Sequence, residues 1–356
     1  MNSLLLTPDL FTENGGITRI LRLYLKALCE LSAEGDAVRV VSLNDRLADS
    51  VDLRRYSDEH LAEWQVCNHR KLRFIGATLR LGVRSHRIVC GHVAQLPLAW
   101  AASRLGRPKP YYLVAHGIEV WRRFSALERR AIRGARRILC VSDFTRKKLL
   151  ENCPLPADRL AILPNALDPR LDPPRPQAPP DGPPIILSIS RLSAADSYKG
   201  IDHLISALPA VRAAIPQARL RVVGRGDGLP GLQAHALRLG VGEAIEFPGY
   251  VGDADLHGEY ARCRIFALPS QKEGFGLVYL EAMAHARPSL AARSGGVPEV
   301  MTEGTGTLVD YGDVPGIAAA IVAMLGRDWP LEPLLDRARH FSYPRFKERF
   351  AALLSP

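Results

Sequence analysis

Short apolar runs alternate with amphipathic stretches along most of the chain. In the first half, runs that predict strands occupy residues 3–6, 38–42, 87–90, 111–115 and 137–141. Apolar residues recur at helical spacing from Ile17 to Leu31, and further helical stretches lie near 94–105 and 119–134. We interpret residues 51–80 as helix and loop. Because strands and helices alternate, the pattern predicts a parallel sheet covered by helices.

The alternation restarts after a proline-rich stretch. Seven of the fourteen residues from Leu171 to Pro184 are proline, which prevents regular structure and predicts a semi-rigid linker. Beyond it, strands are predicted at 185–190, 220–223, 244–247 and from Arg264, with helices at 201–214, near 230–239 and near 253–262. The sequence therefore predicts an α/β protein with two doubly wound domains, 1–170 and 185–340, a linker at 171–184 and a C-terminal helix at 341–356.

Composition excludes several classes of protein. A chain of 356 residues that is 47% hydrophobic and 24% charged is globular and long enough for two domains. No apolar run reaches the roughly 18–20 residues that span a bilayer, and residues 1–8 are too short and too poor in positive charge for a signal peptide. The six cysteines form no C-x-x-C pair, which favours reduced thiols over disulfides or a zinc site. We therefore expect a cytosolic protein.

Positive charge is concentrated in the first half of the chain. Residues 1–178 contain 29 Lys and Arg against 18 Asp and Glu, a net charge of +11, and the remainder contains 18 against 19, a net charge of −1. This asymmetry indicates an anionic partner, either a membrane surface or a nucleic acid. We favour the membrane because no nucleic-acid-binding signature accompanies the charge. Ordinary solvated helix faces remain the alternative.

The segment from Glu273 to Glu281 is the strongest candidate for chemistry. Gly274 and Gly276 leave main-chain amides unshielded where a helix begins, and a helix N-terminus with unpaired N–H groups attracts a phosphate. Glu281 follows on an apolar helix, where a carboxylate needs hydrogen-bond donors such as a ribose diol. The alternative is that Glu273 is a solvated loop charge and Glu281 a surface residue.

Three other positions are candidates because they follow predicted strands, where ligands bind in parallel sheets. They are the pair Gly15-Gly16, the pair His116-Gly117, and the cations Arg191 and Lys199, which one loop could direct to a single diphosphate. Each has an ordinary alternative: a plain turn, a histidine that satisfies a neighbouring carbonyl, or unrelated strand-end cations.

Two tempting motifs have simpler explanations. Asp253-Ala254-Asp255 could bind a metal, but it falls where a helix should begin and where acidic side chains cap amides. The glycine turn from Gly224 to Gly228 lacks the spacing and the acidic ribose contact of a dinucleotide site. The sequence therefore predicts neither a metal site nor a nicotinamide or flavin cofactor.

With these positions in view, the chain resembles the retaining family 4 glycosyltransferases of the GT-B fold over nearly its whole length. The matching segments are Gly15-Gly16, His116-Gly117, Pro164-Asn165, Arg191 with Lys199-Gly200, Glu273 to Glu281, and Ser294 to Glu299. Two positions depart from the family pattern. Ala166 stands where glycine is usual, and Arg225-Gly226-Asp227 replaces a more acidic turn.

The resemblance implies two Rossmann-like domains that face each other across a cleft, with the C-terminal helix returning to the N-terminal domain. It implies that Arg191 and Lys199 neutralise a leaving diphosphate and that Glu281 binds the ribose. It further implies that Glu273 and the amides of the following turn hold the transferred sugar, which His116 reaches from the other domain. The implied donor-binding residues are Gly15, Gly16, Arg191, Lys199, Glu273, Gly274, Phe275, Gly276, Leu277 and Glu281; the implied catalytic residues are His116, Arg191, Lys199 and Glu273.

The resemblance also implies a metal-independent, retaining hexosyltransferase with a nucleotide-sugar donor, GDP-mannose or UDP-glucose being the leading candidates. Many bacterial members glycosylate polyprenyl-diphosphate-linked saccharides at the cytoplasmic face of the inner membrane, which would explain the basic half. We therefore expect a saccharide or lipid-linked saccharide acceptor, a role in surface polysaccharide or glycolipid assembly, and a peripheral location. A nucleotide-sugar epimerase of similar fold and a catalytically silent sugar-binding relative remain alternatives.

Overall fold

The computed structural model describes residues 1–12, 15–46, 52–171, 181–253 and 255–354. These residues form two compact units. Unit 1 comprises Met1–Asp168 and Tyr343–Pro356, and unit 2 comprises Pro169–Ser342. Most of the predicted linker, residues 172–180, lies outside the described residues.

Unit 1 contains a seven-stranded parallel sheet in the order β3-β2-β1-β4-β5-β6-β7. Its strands are β1 (Ser3–Thr7), β2 (Val38–Ser42), β3 (Leu61–Val66), β4 (Arg87–Cys90), β5 (Tyr111–Ala115), β6 (Arg137–Cys140) and β7 (Leu160–Ile162). Its helices are α1 (Gly16–Glu30), α2 (Lys71–Val83), α3 (Leu96–Ser103), α4 (Ala126–Gly134) and α5 (Asp143–Asn152), and α13 (Tyr343–Leu354) from the end of the chain. The predicted alternation of strands and helices is confirmed.

The two faces of this sheet carry separate hydrophobic cores. Side chains alternate along a strand, so Leu4 and Leu6 of β1 pack on one face while Leu5 packs on the other. The first face is covered by buried residues of α2, α3, α4 and α5. The second face is covered by α1 and α13. Both faces are buried, as expected for a parallel sheet.

The C-terminal helix α13 returns to unit 1, as predicted. Tyr24 of α1 makes edge-to-face contacts with Phe346 and Phe350 of α13, with ring centroids 5.0 and 4.9 Å apart. The Tyr343 hydroxyl group donates a hydrogen bond of 3.0 Å to Glu30 on α1. These contacts make α13 part of the second core.

Sequence reasoning missed three elements of unit 1 and misplaced the start of another. β3, α5 and β7 were not predicted. β3 is an edge strand whose residues are mostly half-exposed, so its polar positions obscure the alternation. Helix α4 begins at Ala126 rather than near 119, because Ser125 and Glu128 form a capping box that fixes the N-terminus there.

Unit 2 contains a six-stranded parallel sheet in the order β10-β9-β8-β11-β12-β13. Its strands are β8 (Ile185–Ile189), β9 (Arg219–Val223), β10 (Ile245–Gly249), β11 (Ile265–Leu268), β12 (Ser289–Ala292) and β13 (Gly306–Val309). Its helices are α6 (Ile201–Ala214), α7 (Leu229–Arg238), α8 (Leu256–Arg262), α9 (Leu277–Ala284), α10 (Val297–Val300), α11 (Val314–Leu325) and α12 (Leu331–His340).

The strand order of unit 2 reverses between β8 and β11. In open parallel sheets, ligands bind beyond the carboxyl ends of the strands at such a reversal. Arg191 follows β8 and Glu273 follows β11. The fold therefore positions the two strongest sequence candidates at the predicted binding edge of unit 2.

Candidate active site

Lys199 ends the loop that follows β8. The next residue, Gly200, has φ 73°, and a Cβ atom there would lie 2.6 Å from the Pro269 carbonyl oxygen. Only glycine allows this approach, since a side chain would clash with the backbone. The Gln271 amide, just beyond β11, also donates to the Tyr198 carbonyl at 2.8 Å. The loop after β8 is thus held against the loop after β11.

This packing joins Lys199 to Glu273. The Lys199 ammonium group donates to Oε2 of Glu273 at 2.7 Å, and both side chains are 16% exposed. Burial disfavours the charged ammonium, but the Glu273 charge and hydrogen bond outweigh burial and raise the pKa of Lys199. Lys199 therefore remains charged at neutral pH.

Arg191, the other predicted cation, is much more exposed. Its side chain is 66% exposed, and its guanidinium group lies 3.1 Å from an Asp196 carboxylate oxygen. The main chain beside it is well held, because the Leu192 amide donates to the Arg225 carbonyl at 3.0 Å and the Gly228 amide donates to the Leu192 carbonyl at 2.8 Å. The glycine turn from Gly224 to Gly228 thus supports the cation-bearing loop.

A cavity of about 570 Å³ opens beside this loop within unit 2. Arg191 and Lys199 line it, together with residues of α6 and α7 that include Ser206, His235 and Arg238. The Nδ1 atom of His235 accepts a hydrogen bond of 3.2 Å from Arg238, and its Nε2 atom lies 2.8 Å from the Ser206 hydroxyl group. The cavity has the volume of a small-ligand site, and both predicted cations line it.

A second glycine turn fixes the main chain of Glu273. The Gly296 amide donates to the Glu273 carbonyl at 2.8 Å. Gly295 has φ 63°, and a Cβ atom there would lie 2.1 Å from the same carbonyl oxygen. The predicted segment from Ser294 to Glu299 therefore acts on the site indirectly, by positioning Glu273.

Helix α9 begins at Leu277, four residues after Glu273. Gly276 is its N-cap residue, and no side chain caps the helix. Phe275 is buried and packs edge-to-face against Phe341, at 5.3 Å between ring centroids, which anchors the turn formed with Gly274. The first amides of α9, at Leu277 and Val278, therefore lie at the positive end of the helix dipole without a capping side chain, an arrangement that suits an anion.

Glu281 lies in the second turn of α9 and is only 2% exposed. Its Oε2 atom accepts a hydrogen bond of 2.8 Å from the Tyr260 hydroxyl group. Tyr260 therefore supplies one of the hydrogen-bond donors that we expected the Glu281 carboxylate to require on this apolar helix. Sequence reasoning did not identify Tyr260.

His116 follows β5 in unit 1 and is buried. Its Nε2 atom lies 2.8 Å from the Gly91 carbonyl, so Nε2 carries the hydrogen of the neutral ring. Its Nδ1 atom is buried and has no hydrogen-bond partner within the described residues. Burial lowers the pKa of His116 to about 4, although the Gly91 hydrogen bond opposes this shift. His116 is thus a neutral imidazole whose Nδ1 acceptor is not used by the described residues.

Glu119, which sequence reasoning missed, orders the turn around His116. Its carboxylate accepts hydrogen bonds from the amides of His116, at 2.5 Å, and Gly117, at 3.1 Å. Gln95 and Asn165 are among the other buried side chains of unit 1 that have polar atoms without a hydrogen-bond partner in the part of the chain that is described. Only Asn165 was singled out by a motif.

The Gly15-Gly16 pair begins α1 at the end of the loop that follows β1. Gly15 is the N-cap residue, with extended backbone, and no side chain caps the helix. A Cβ atom at Gly15 would meet no described atom within 4 Å. Packing within unit 1 therefore leaves open space at this helix N-terminus.

The acidic pair Asp253 and Asp255 was interpreted as helix capping. Asp255 is the N-cap residue of α8, but its side chain makes no capping hydrogen bond, so that part of the prediction is wrong. Its backbone is helical rather than extended, which turns the carboxylate away from the first amides. Among the described residues, the grouping of potential metal ligands is Asp58, Glu59 and His60, on the surface of unit 1.

Two family models match successive parts of the chain. Residues 15–171 match Glycosyltransferase Family 4, and residues 183–327 match Glycosyl transferases group 1. Among the described helices, none is both long and apolar enough to cross a membrane.

Known proteins resemble the chain over different lengths. A GDP-mannose-dependent alpha-(1-6)-phosphatidylinositol monomannoside mannosyltransferase of Mycobacterium tuberculosis is 29% identical, over 92% of both chains. The protein of the same description from Mycolicibacterium smegmatis is 38% identical over 44% of this chain and 45% of its own length. The crystal structure of Anabaena HepE in complex with UDP shares the fold, with a TM-score of 0.78 and 22% identity over 99% of both chains.

Both halves of the sequence thus match the same kind of enzyme, and each half has the parallel-sheet architecture seen in the solved structures. The resemblance inferred from the motifs is confirmed: the chain belongs to the family 4, group 1 glycosyltransferases and has the GT-B fold.

Proposed function

We propose that the protein transfers a hexose from a nucleotide-sugar to a lipid-linked saccharide or glycolipid, with retention of configuration and without a metal ion. The observation that carries this proposal is the half-buried Lys199–Glu273 pair, which stands directly before the uncapped N-terminus of α9. A fixed ammonium group and helix amides together suit a diphosphate that gains charge as it leaves.

The proposed reaction breaks the bond between the sugar C1 atom and the diphosphate oxygen. The acceptor hydroxyl oxygen bonds to C1 on the same face, and its proton passes to the departing diphosphate. Lys199 and Arg191 stabilise that diphosphate, because both cations line one cavity. Glu273 and the amides of the turn at Phe275 and Gly276 hold the sugar, and Glu281 binds the ribose. The Nδ1 atom of neutral His116 accepts a hydrogen bond from a sugar hydroxyl.

GDP-mannose is the first donor candidate and UDP-glucose the second. The two mycobacterial relatives described above use GDP-mannose by name, and the solved structure of similar fold contains UDP. The same relatives act on phosphatidylinositol mannosides, which supports an acceptor with a lipid anchor.

A basic surface on unit 1 supports a membrane-bound acceptor. Residues 64–118 contain no Asp or Glu. They contain nine basic residues: Arg70, Lys71, Arg73, Arg80, Arg84, Arg87, Arg104, Arg107 and Lys109. Lys71, Arg73 and Arg80 lie on α2, and Arg70 and Arg84 flank it, so five of the nine basic residues collect around this one helix. An anionic leaflet attracts such a surface.

Helix α2 also exposes apolar side chains among these cations. Leu72 is 85% exposed, and Ile75 and Val83 are exposed as well. Basic residues beside exposed apolar ones are typical of helices that lie in a membrane interface. We name the exposed side of α2, formed by Lys71, Leu72, Arg73, Ile75, Val83 and Arg84, the α2 face. It supports peripheral binding at the cytoplasmic side of a membrane.

The test is a donor panel with and without acceptors. Purified protein is incubated with GDP-mannose, UDP-glucose and matched nucleotide-sugars, alone or with phosphatidylinositol mannoside or polyprenyl-diphosphate-linked saccharide in mixed micelles. Nucleotide release that depends on an acceptor supports the proposal. Acceptor-independent conversion of the sugar would support an epimerase instead, and nucleotide-sugar binding without turnover would support a catalytically silent relative.

A further inference from the structure

The carboxylate of Glu281 accepts a hydrogen bond from a buried tyrosine. Tyr260 on α8 is 1% exposed, and its hydroxyl group lies 2.8 Å from Oε2 of Glu281. The carbonyl oxygen of Val278 is farther, at 3.3 Å. A tyrosine hydroxyl group has one hydrogen, so the shorter contact to the charged acceptor receives it.

The ring of Tyr260 has little freedom to turn away. His285 stacks on it, with ring centroids 5.0 Å apart and an interplanar angle of 25°. Phe266 of β11 packs against it at 6.0 Å. Since Tyr260 and His285 are both buried, the hydroxyl group of Tyr260 has a defined direction.

The backbone around this contact is tied down from both helices. The buried Arg287 donates to the carbonyl oxygens of Tyr260, at 2.9 Å, and Ala261, at 2.8 Å, which secures the end of α8. The Nδ1 atom of His285 lies 2.7 Å from the Glu281 carbonyl oxygen, and this contact secures the end of α9. The distance between the two helices is therefore fixed at the level of Tyr260 and Glu281.

We propose that Tyr260 is a positioning residue for donor recognition: its hydroxyl group orients the Glu281 carboxylate so that the ribose hydroxyls of the nucleotide meet a fixed acceptor. This inference rests on the proposed function, in which Glu281 binds the ribose. Without the Tyr260 hydrogen bond, the Glu281 carboxylate loses a donor that fixes the direction of its Oε2 atom. It then loses much of its preference for a ribose that carries both hydroxyls.

The test measures ribose discrimination directly. Affinities of wild-type protein and variants are measured by calorimetry for GDP and UDP and for their 2′,3′-dideoxy counterparts. The ratio of the two dissociation constants should be about tenfold or more in the wild type, because the dideoxy nucleotides lack the hydroxyl groups that would donate to Glu281. Tyr260→Phe should reduce this ratio several-fold and raise the donor KM more than it lowers kcat.

Tyr279→Phe is the matched control. Tyr279 is also fully buried, and its hydroxyl group donates to the Leu268 carbonyl at 2.6 Å rather than to Glu281. Both variants lose one buried tyrosine hydrogen bond, so a purely structural effect should appear in both. Only Tyr260→Phe should change the ribose ratio. Equal ratios in the two variants would overturn the inference.

Glu281→Gln separates failure of the inference from failure of the proposed function. If Glu281→Gln lowers the ribose ratio and Tyr260→Phe does not, Glu281 recognises the ribose without being oriented by Tyr260, and the inference is wrong. If Glu281→Gln leaves the ratio unchanged, the proposed role of Glu281 is wrong as well. The double variant should match Glu281→Gln alone, since the two residues act through one contact.

His285→Leu provides a second variant, should Tyr260→Phe fail to fold. It removes the ring that stacks on Tyr260 and the hydrogen bond to the Glu281 carbonyl. The ribose ratio should fall in the same direction as for Tyr260→Phe. An unchanged ratio would contradict the positioning role.

Discussion

The Lys199 ammonium group and the Glu273 carboxylate lie 2.7 Å apart, although 74 residues separate them in the chain. The contact with Glu273 keeps Lys199 charged and holds its ammonium group in place before a donor binds. Because the pKa of Lys199 is raised, the stability contributed by its charged form is complete below the ordinary lysine pKa, near 10.5. It is lost only as pH rises through the folded-state value. Stability from this pair should therefore not change between pH 6 and pH 9.

Lys199→Ala should lower kcat by about a hundredfold or more. Loss of one charged donor to the leaving diphosphate costs on the order of 2–4 kcal/mol of barrier. The substitution also leaves Glu273 half-buried without its cation, so the melting temperature should fall. Steady-state kinetics with two donors and thermal unfolding check both effects. Near-wild-type turnover would remove Lys199 from the mechanism.

Arg191→Ala should lower kcat to a similar degree while leaving the melting temperature almost unchanged. Arg191 is 66% exposed, and its ion pair with Asp196 contributes little to folding. The matched control is Arg219→Ala, which removes another exposed arginine of unit 2 that is paired with a carboxylate, Glu246. Equal kinetics for Arg191→Ala and Arg219→Ala would contradict the role of Arg191.

The protein should lose stability as pH falls from about 6.5 to about 4. Burial lowers the pKa of His116 and of His285 to about 4, whereas an unfolded histidine titrates near 6.5. The unfolded state then binds more protons in this window, so each histidine can cost up to about 3 kcal/mol of unfolding free energy. Urea unfolding at pH 7 and pH 4.5 measures the loss.

His116→Gln and His285→Gln should each reduce that pH dependence. If neither His116→Gln nor His285→Gln reduces the loss of unfolding free energy between pH 7 and pH 4.5, other groups are responsible for acid unfolding.

Transferase activity should persist in excess EDTA. In the proposed mechanism, two cations and the α9 amides stabilise the diphosphate without a divalent ion. Asp253→Asn with Asp255→Asn should also leave kcat nearly unchanged, since neither residue contacts the donor in this proposal. Activity that is abolished by EDTA and restored by magnesium or manganese would refute both expectations.

The full chain should co-sediment with vesicles that contain phosphatidylglycerol, and less with neutral phosphatidylcholine vesicles. Neutralising Lys71, Arg73 and Arg84 together should weaken binding roughly a hundredfold, at about 1 kcal/mol for each cation near the surface. Binding should fall as salt shortens the Debye length. Leu72→Ser with Ile75→Ser should weaken binding without changing its salt dependence.

Arg80 offers the matched control on the same helix. It donates to Glu63 at 2.7 Å, so its charge is already neutralised within unit 1. Glu63→Gln with Arg80→Gln keeps the net charge and should leave vesicle binding unchanged. If the wild-type chain ignores anionic vesicles even at low salt, a soluble acceptor is the better explanation.

The fold could be predicted from sequence because most strands are buried on both faces and are flanked by turn residues. β3 escaped prediction because it is a half-exposed edge strand, and β7 because it has only three residues. The returning α13 was expected from the family resemblance rather than from its pattern. Its apolar face is explained only by the contact with Tyr24.

The candidate site was predictable where motifs carry it, as at Lys199 and Glu273. The contact between these two residues was not predictable, because it depends on the close approach at Gly200 and on the turn at Gly295. Tyr260 and Glu119 lie outside the motifs that were recognised. Tyr260 donates to Glu281, and Glu119 accepts from the His116 amide. The spacing of residues along the sequence does not reveal either hydrogen bond.

The return of α13 to unit 1 has a consequence for synthesis on the ribosome. Unit 2 is inserted in the chain between Asp168 and Tyr343, so α1 emerges long before the helix that covers it. The aromatic surface around Tyr24 must stay uncovered while some 170 residues of unit 2 are made and begin to fold. Unit 2 can therefore complete its core before unit 1 does. A nascent chain released early would leave the aromatic surface around Tyr24 exposed to chaperones.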